Sequence, residues 1–269
     1  MSTSFDLSGR VAVVTGASGT LGGAIARGLA EAGATVGVLA RRRRRLDAFV
    51  AELGGPAFAL EADVLDPDQL RRARDEALER TGRLDVLVNA AGGNLPAATT
   101  GKRSFFQLTP EALEAVVALN LHGTLLPCQV FGEAMAALGD APAGGRSIVN
   151  VSSLAADRPL TRTVGYGAAK AGVSNFTRWL AVELAPAGVR VNALAPGFFV
   201  AEQNRALLVR DDGSPTERGE SILRNTPAAR FGDPDELAGA AVFLASAAAS
   251  FVTGTVLTVD GGFAAYAGV

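Results

Sequence analysis

Two rhythms of apolar and polar positions alternate along the chain. Short apolar runs rich in β-branched residues occur at VAVVT (11–15), TVGVLA (35–40), AFALEADV (57–64), DVLVNAAG (85–92), SIVNVSS (147–153), VRVNALAP (189–196) and TVLTVDGG (255–262). Runs of this length bounded by turn residues predict strands buried on both faces. Between them the spacing turns helical. AIARGLAEAG (24–33) stops at Gly33, and a polar helix follows residue 40. PDQLRRARDEALERTG (67–82) has Pro67 at its start and Gly82 after its end, the usual punctuation of a helix. A long helical pattern over 111–138 is expected to bend near Gly123 or Pro127, and 165–185 and 235–246 are helical too. Strands alternating with helices predict an α/β fold, a doubly wound parallel seven-stranded sheet with helices on both faces. No linker or repeat divides the pattern, so residues 1–269 are expected to form a single domain. Two longer loops, 93–110 and 198–226, begin at the carboxyl ends of strands, where ligands bind in open α/β sheets.

Composition narrows the function. The 269 residues are 48% hydrophobic and carry a net charge of −2, without the basic excess of a nucleic-acid-binding domain. One cysteine, Cys128, permits no intrachain disulfide, and with a single histidine no zinc site is expected. Cys128 and Trp179 are expected in the core or at an interface, and His122 is expected to be a packed helix residue. The segment MSTSFDLSGR lacks an apolar leader, and no charge-free apolar stretch stands out as a membrane span, so a cytoplasmic protein without membrane contact is expected.

Three stretches carry chemistry. TGASGTLGG (15–23) lies between the first strand and the first helix, where glycines let backbone N–H groups approach a pyrophosphate at the helix N-terminus. The end of the second strand should meet the adenosine ribose. It reads Ala40-Arg41, then Arg42 to Arg45, with no carboxylate. Most of these arginines suit a solvated helix face; Arg41, supported by Arg42, suits a 2′-phosphate, so NADP(H) is favoured over NAD(H). YGAAK (166–170) sets Tyr166 and Lys170 one helical turn apart. That is either a chance surface pair or an acid–base pair in which the ammonium lowers the phenol pKa from about 10.

Taken together, TGASGTLG, NAAG (89–92), Asn120, Ser153, Tyr166-x-x-x-Lys170 and Pro196-Gly197 resemble the short-chain dehydrogenase/reductase family, from about residue 5 to the C-terminus. The resemblance implies a Rossmann-type fold, with a dinucleotide-binding half over about 5–150 and a catalytic and substrate half over about 150–269. It implies Tyr166 as the proton donor and Lys170 as the ribose contact that lowers the Tyr166 pKa. Ser153, 13 residues before Tyr166, would hydrogen-bond the substrate oxygen, with Ser152 as the neighbouring alternative. Asn120 would hold a relay water. Gly16, Ser18, Gly19, Thr20, Leu21 and Gly22 would cradle the pyrophosphate. Asp63 and Val64 would contact adenine, with Asn89, Ala90, Gly92, Pro196 and Gly197 completing the cofactor cleft. Thr20 replaces the family's middle glycine, and Ala201 replaces a threonine that contacts the carboxamide. A homotetramer or homodimer pairing the helices that hold Asn120 and Tyr166 is also implied.

Segments 91–100, 120–132, 158–183, 196–208 and 260–269 further resemble the D-mannonate oxidoreductases, or fructuronate reductases, of this family. This implies a small carbonyl or alcohol substrate, a keto sugar acid and its aldonate. Members of that subgroup carry Asp where Ala40 stands. Asn94, Arg158, Gln203, Asn204 and Arg205 lie on loops at the expected face and could bind a carboxylate and hydroxyls. The alternatives are a reductase of a ketose, polyol or 3-oxoacyl thioester, or a non-catalytic dinucleotide-binding regulator.

Overall fold

The structure, a computed structural model, describes residues 4–101 and 103–268. Seven strands, β1 (Val11–Thr15), β2 (Thr35–Ala40), β3 (Ala57–Glu61), β4 (Val86–Asn89), β5 (Arg146–Val151), β6 (Val189–Pro196) and β7 (Val256–Val259), form one sheet. Their order is β3-β2-β1-β4-β5-β6-β7, and every pairing is parallel. Successive residues of a strand point to opposite faces, which explains why both faces are apolar. In β1, Ala12 and Val14 join a core with Ile25 and Leu29 of helix α1 (Thr20–Glu31) and Leu237 and Leu244 of α9 (Pro234–Ala245). Val13 between them joins the opposite core, with Leu70 of α3 (Pro67–Thr81), Phe131 of α5 (Gly123–Ala137) and Leu180 of α6 (Val164–Leu184). Helix α2 (Arg43–Leu53) buries only Leu46 of its own residues.

The strand order reverses between β1 and β4. The crossover helices leave in opposite directions there and open a crevice at the carboxyl ends of the strands. Helix α1 starts at Thr20 rather than near residue 24, so the glycine-rich turn runs directly into its first turn. The pattern over 111–138 divides into α4 (Pro110–Val117), a π turn (Ala118–His122) and α5. The interruption therefore lies just before Gly123, while Pro127 is accommodated inside α5. By length and composition, Pro110–Ala137 would also pass for a membrane span. Val116, Cys128, Phe131 and Met135 show instead a helix buried in the core. The loop over 198–226 contains two further helices, α7 (Arg205–Leu208) and α8 (Glu217–Arg224).

Candidate active site

A cleft of about 700 Å³ opens at the crevice, within the range of cofactor and ligand sites. Its floor is the turn after β1. Gly16 has φ +68°, and a Cβ there would lie 2.6 Å from the Ala91 nitrogen; one on Gly22 would lie 2.5 Å from the Gly16 carbonyl oxygen. Only glycine lets these segments close together. No side chain caps α1 and its first turn holds no acidic residue, so its N-terminal N–H groups are disposed toward an anion. This fits a dinucleotide pyrophosphate. Ser18, Gly19, Thr20 and Leu21 share this wall.

At the end of β2, Ala40, Arg41, Arg42 and Arg45 border the cleft opposite Asp63 and Val64. The Arg41 Nη1 lies 3.8 Å from the Asp63 carboxylate, and the Arg41 side chain is otherwise largely exposed. Arg45, which the sequence reading left on a solvated helix face, also borders the cleft, from the first turn of α2. Beyond β4, Ala90 and Gly92 face the cleft. Asn89, expected among the cofactor contacts, is buried instead, where its Nδ2 donates to Asn150 Oδ1 at 2.9 Å and Cys128 Sγ at 3.1 Å. It braces β4 against β5 beneath the cleft.

Asn120 sits fully buried in the π turn. Its Oδ1 accepts from the Gly93 N–H at 2.9 Å, and its Nδ2 donates to the Gly93 carbonyl at 2.8 Å and the Val116 carbonyl at 2.8 Å. The side chain thus clamps the NAAG segment to the helix. Ser153 follows β5, its Oγ accepting from the Ala155 N–H at 3.1 Å and lying beside the Tyr166 phenol, whose pKa it draws down. The neighbouring Ser152 hydroxyl is turned away, bonded to the Lys170 carbonyl at 3.0 Å and to Ser174 Oγ at 2.7 Å.

Tyr166 and Lys170 occupy successive turns of α6 and both border the cleft. The Lys170 Nζ donates to the Val151 carbonyl at 2.6 Å and lies 5.8 Å from the centre of the Tyr166 ring. The expected depression of the phenol pKa by this ammonium is not what the geometry gives. Burial pushes the Tyr166 hydroxyl up, outweighing the Ser153 hydrogen bond. Burial also pulls Lys170 down to about 8. Desolvation disfavours both charged forms.

Pro196 and Gly197 end β6 at the cleft, where a Cβ on Gly197 would overlap Asp260. Gln203 and Asn204 border the cleft from the loop beyond, together with Glu202, which the sequence reading did not include. Gln203 Oε1 reaches Gly93 so closely that a Cβ there would lie 2.8 Å away. Asn204 is spent on its own loop: Oδ1 accepts from Ala201 N–H and Nδ2 donates to the Phe199 carbonyl. Ala201 is buried, and the Glu202 N–H next to it donates weakly, at 3.4 Å, to the Thr20 hydroxyl. The two departures from the family pattern therefore adjoin one another. Asn94, Arg158 and Arg205 do not border the cleft. Asn94 accepts from the Leu95 N–H in its own turn, Arg158 donates to the Ala264 carbonyl, and Arg205 is exposed on α7.

Comparison with known proteins agrees with this arrangement. Residues 16–264 match the family model described as enoyl-(acyl carrier protein) reductase. An uncharacterised oxidoreductase of Bacillus subtilis, UxuB, is 44% identical over 98% of both chains. A solved structure from Haemophilus influenzae with bound NAD, proposed to be a D-mannonate oxidoreductase, superposes with TM-score 0.91 at 42% identity over 98% of each chain. A gluconate 5-dehydrogenase from Burkholderia cenocepacia J2315, in complex with NADP and tartrate, gives TM-score 0.85 at 35% identity over 97% of each chain.

Proposed function

The chain belongs to the short-chain dehydrogenase/reductase family of oxidoreductases, and we propose that within it this enzyme interconverts a keto sugar acid and its aldonate, using NADP(H). The observation that carries the reading is the convergence of Ser153, Tyr166 and Lys170 on one cleft with the glycine turn of α1. Similarity to proteins named for mannonate and gluconate supports the substrate class.

Gly16, Gly22 and the first turn of α1 would hold a nicotinamide dinucleotide, which would supply hydride to the carbonyl carbon in reduction and accept it in oxidation. Tyr166 hands its proton to the carbonyl oxygen in reduction and takes it back in oxidation. Because burial keeps the phenol protonated, Tyr166 is set up as a general acid across the neutral range. Ser153 hydrogen-bonds the same oxygen as its charge changes. Lys170 carries a charge below about pH 8, and its ammonium borders the cleft where it would hydrogen-bond the nicotinamide ribose. Asn120 acts by holding Gly93 and the NAAG turn in register. The cleft is otherwise that of a protein working on small molecules.

The cofactor preference rests on the end of β2. No carboxylate follows Ala40, and Arg41, Arg42 and Arg45 surround the place where a 2′-phosphate would lie. A guanidinium–phosphate contact is worth roughly 1.5–3 kcal/mol. Arg41→Ala is therefore expected to weaken NADPH about tenfold or more while leaving NADH little changed. Equal losses with both cofactors, or a wild-type preference for NADH, would overturn the NADP assignment.

The test of the reaction is a panel of keto sugar acids, ketoses and acyl thioesters with each cofactor. The highest kcat/KM is expected for a keto sugar acid. Tyr166→Phe should lower reduction by at least ~10²-fold, the lower range for a lost general acid, with dinucleotide binding preserved. Turnover near wild type in that variant would remove Tyr166 from the mechanism.

A further inference from the structure

Two arginines that do not line the cleft described above come together among the loops at the carboxyl edge of the sheet. Arg162 lies on the segment between β5 and α6, four residues before Tyr166. Arg218 lies in the first turn of α8, half-buried, and donates from Nη1 to the Thr161 hydroxyl at 3.3 Å. A third segment, the loop after β4, contributes Gly101, where a Cβ would sit only 3.6 Å from the Arg162 Cδ. Three loops at the carboxyl edge of the sheet therefore converge on this pair.

Electrostatics make the pairing unusual. Burial lowers the Arg218 pKa, and the charge of Arg162 lowers it further. Among the described residues neither guanidinium forms an ion pair with a carboxylate. Arg43, Arg71, Arg80 and Arg230 each hold an acidic partner, whereas Arg218 is half-buried beside a second guanidinium. Arg162 also has φ +72°, a conformation that side-chain-bearing residues seldom adopt and that persists where the surroundings impose it. Arg218 is fixed from below. Gly219 packs against the Leu208 carbonyl so tightly that a Cβ would overlap it, and Thr216 caps the helix. Two like charges held together on braced backbone, without a protein counter-ion, are arranged for an anion that arrives from outside.

We infer that Arg162 and Arg218 form the clamp that receives the carboxylate of the substrate. This deepens the sugar-acid reading and rests on it. Guanidinium forks match a planar carboxylate through paired, charge-assisted hydrogen bonds. The backbone passes from Arg162 straight into the turn of α6 that bears Tyr166, so an acid group clamped there stands at the end of the substrate remote from the reacting carbonyl. The clamp sets specificity and orientation and takes no part in proton transfer.

The test compares kinetics on two substrates of equal carbon number, a keto sugar acid and the uncharged ketose, for wild type, Arg218→Gln, Arg162→Gly and Arg218→Lys. Glycine suits the backbone at 162, so that variant removes the guanidinium without straining the fold. Arg218→Gln and Arg162→Gly should each raise KM for the acid about tenfold or more, the effect of a lost charged hydrogen bond. Their KM for the neutral ketose and their melting temperatures should stay near wild type, and Arg218→Lys should recover part of the loss. Equal changes on both substrates, or an unchanged KM for the acid, overturn the clamp while leaving the sugar-acid reading intact. A wild type that turns over the ketose and no carboxylate overturns the sugar-acid reading itself. Selective loss on a sugar phosphate or a carrier-bound thioester, rather than on the acid, overturns the carboxylate assignment.

Discussion

Lys170 is held where water would normally be needed. It is buried, its ammonium donates to the Val151 carbonyl, and burial draws its pKa from 10.5 to about 8. A lysine with a lowered folded-state pKa is charged more readily in the unfolded protein. Between about pH 8 and 10.5 the unfolded state binds more protons, so stability rises with pH through that window. Below it both states are protonated and the slope vanishes. Comparing wild type with Lys170→Met by denaturant titration, the wild type should gain on the variant by about 2 kcal/mol from pH 7.5 to 9.5. A constant difference between the two would show that the folded-state pKa is not depressed. The same residue illustrates what spacing conveys and what it omits. The i,i+4 relation of Tyr166 and Lys170 is legible in the sequence, and the structure sets them on one wall of the cleft. The direction of the phenol pKa is not, because it depends on desolvation by segments distant in the sequence.

Elements at the far end of the sheet show a division of labour. Three guanidiniums there bind backbone carbonyls: Arg10 those of Ala143 and Ala245, Arg146 those of Leu138 and Gly139, and Arg190 those of Gly144, Leu244 and Ser246. Leu244 and Ala245 carry the last carbonyls of α9, where the helix dipole favours cations, and the remaining acceptors lie in the segments just after α5 and α9. Burial, followed by the charge of Arg10, draws Arg190 down to about 10. Arg190→Met should cost at least ~2 kcal/mol in denaturant unfolding, since it strands buried carbonyls. The KM values for substrate and cofactor should not move, because this end lies opposite the cleft. A change in KM with stability intact would contradict the purely structural role. All seven strands were legible because the central strands, buried on both faces, read as unbroken apolar runs, and β3 and β7 at the edges keep a short apolar run bounded by turn residues. The π turn was not, because one extra residue in a turn leaves helical periodicity almost intact. Helices α7 and α8 were also missed, being four and eight residues long within a polar segment. Asn94, Arg158 and Arg205 were chosen for their loop positions, but local backbone partners occupy Asn94 and Arg158. Arg162 and Arg218 escaped notice because 57 residues separate Thr161 from Arg218, and sequence spacing carries no sign of such a contact.

At the scale of the whole molecule, α6 faces two ways. Its inner side buries Lys170, Val173, Thr177 and Leu180, while Phe176 and Trp179 stack on the outer side with ring centres 6.2 Å apart. Trp179 is 58% exposed and Val182 77% exposed. These residues recur at i,i+3 spacing and form an apolar stripe, of the kind that marks an association surface. A second copy of the same helix, related by a two-fold axis, would cover the stripe with itself, because such an interface pairs each patch with its own counterpart. The expected assembly is a homodimer built on this face, or a homotetramer that includes it. Trp179→Asp would bring two carboxylates into the centre of that interface, where desolvation makes like charges costly. Light scattering at micromolar concentration should give two or four times the 27.4 kDa chain mass for wild type, and a lower multiple for the variant. The variant should also melt earlier, by about 2–4 °C for each kcal/mol lost. Its kcat should fall as well, since the contacts that fix α6 also fix Tyr166 and Lys170. A wild type that scatters as a single chain would remove the interface, and an unchanged assembly in the variant would move it to another face, such as the exposed edge of β7.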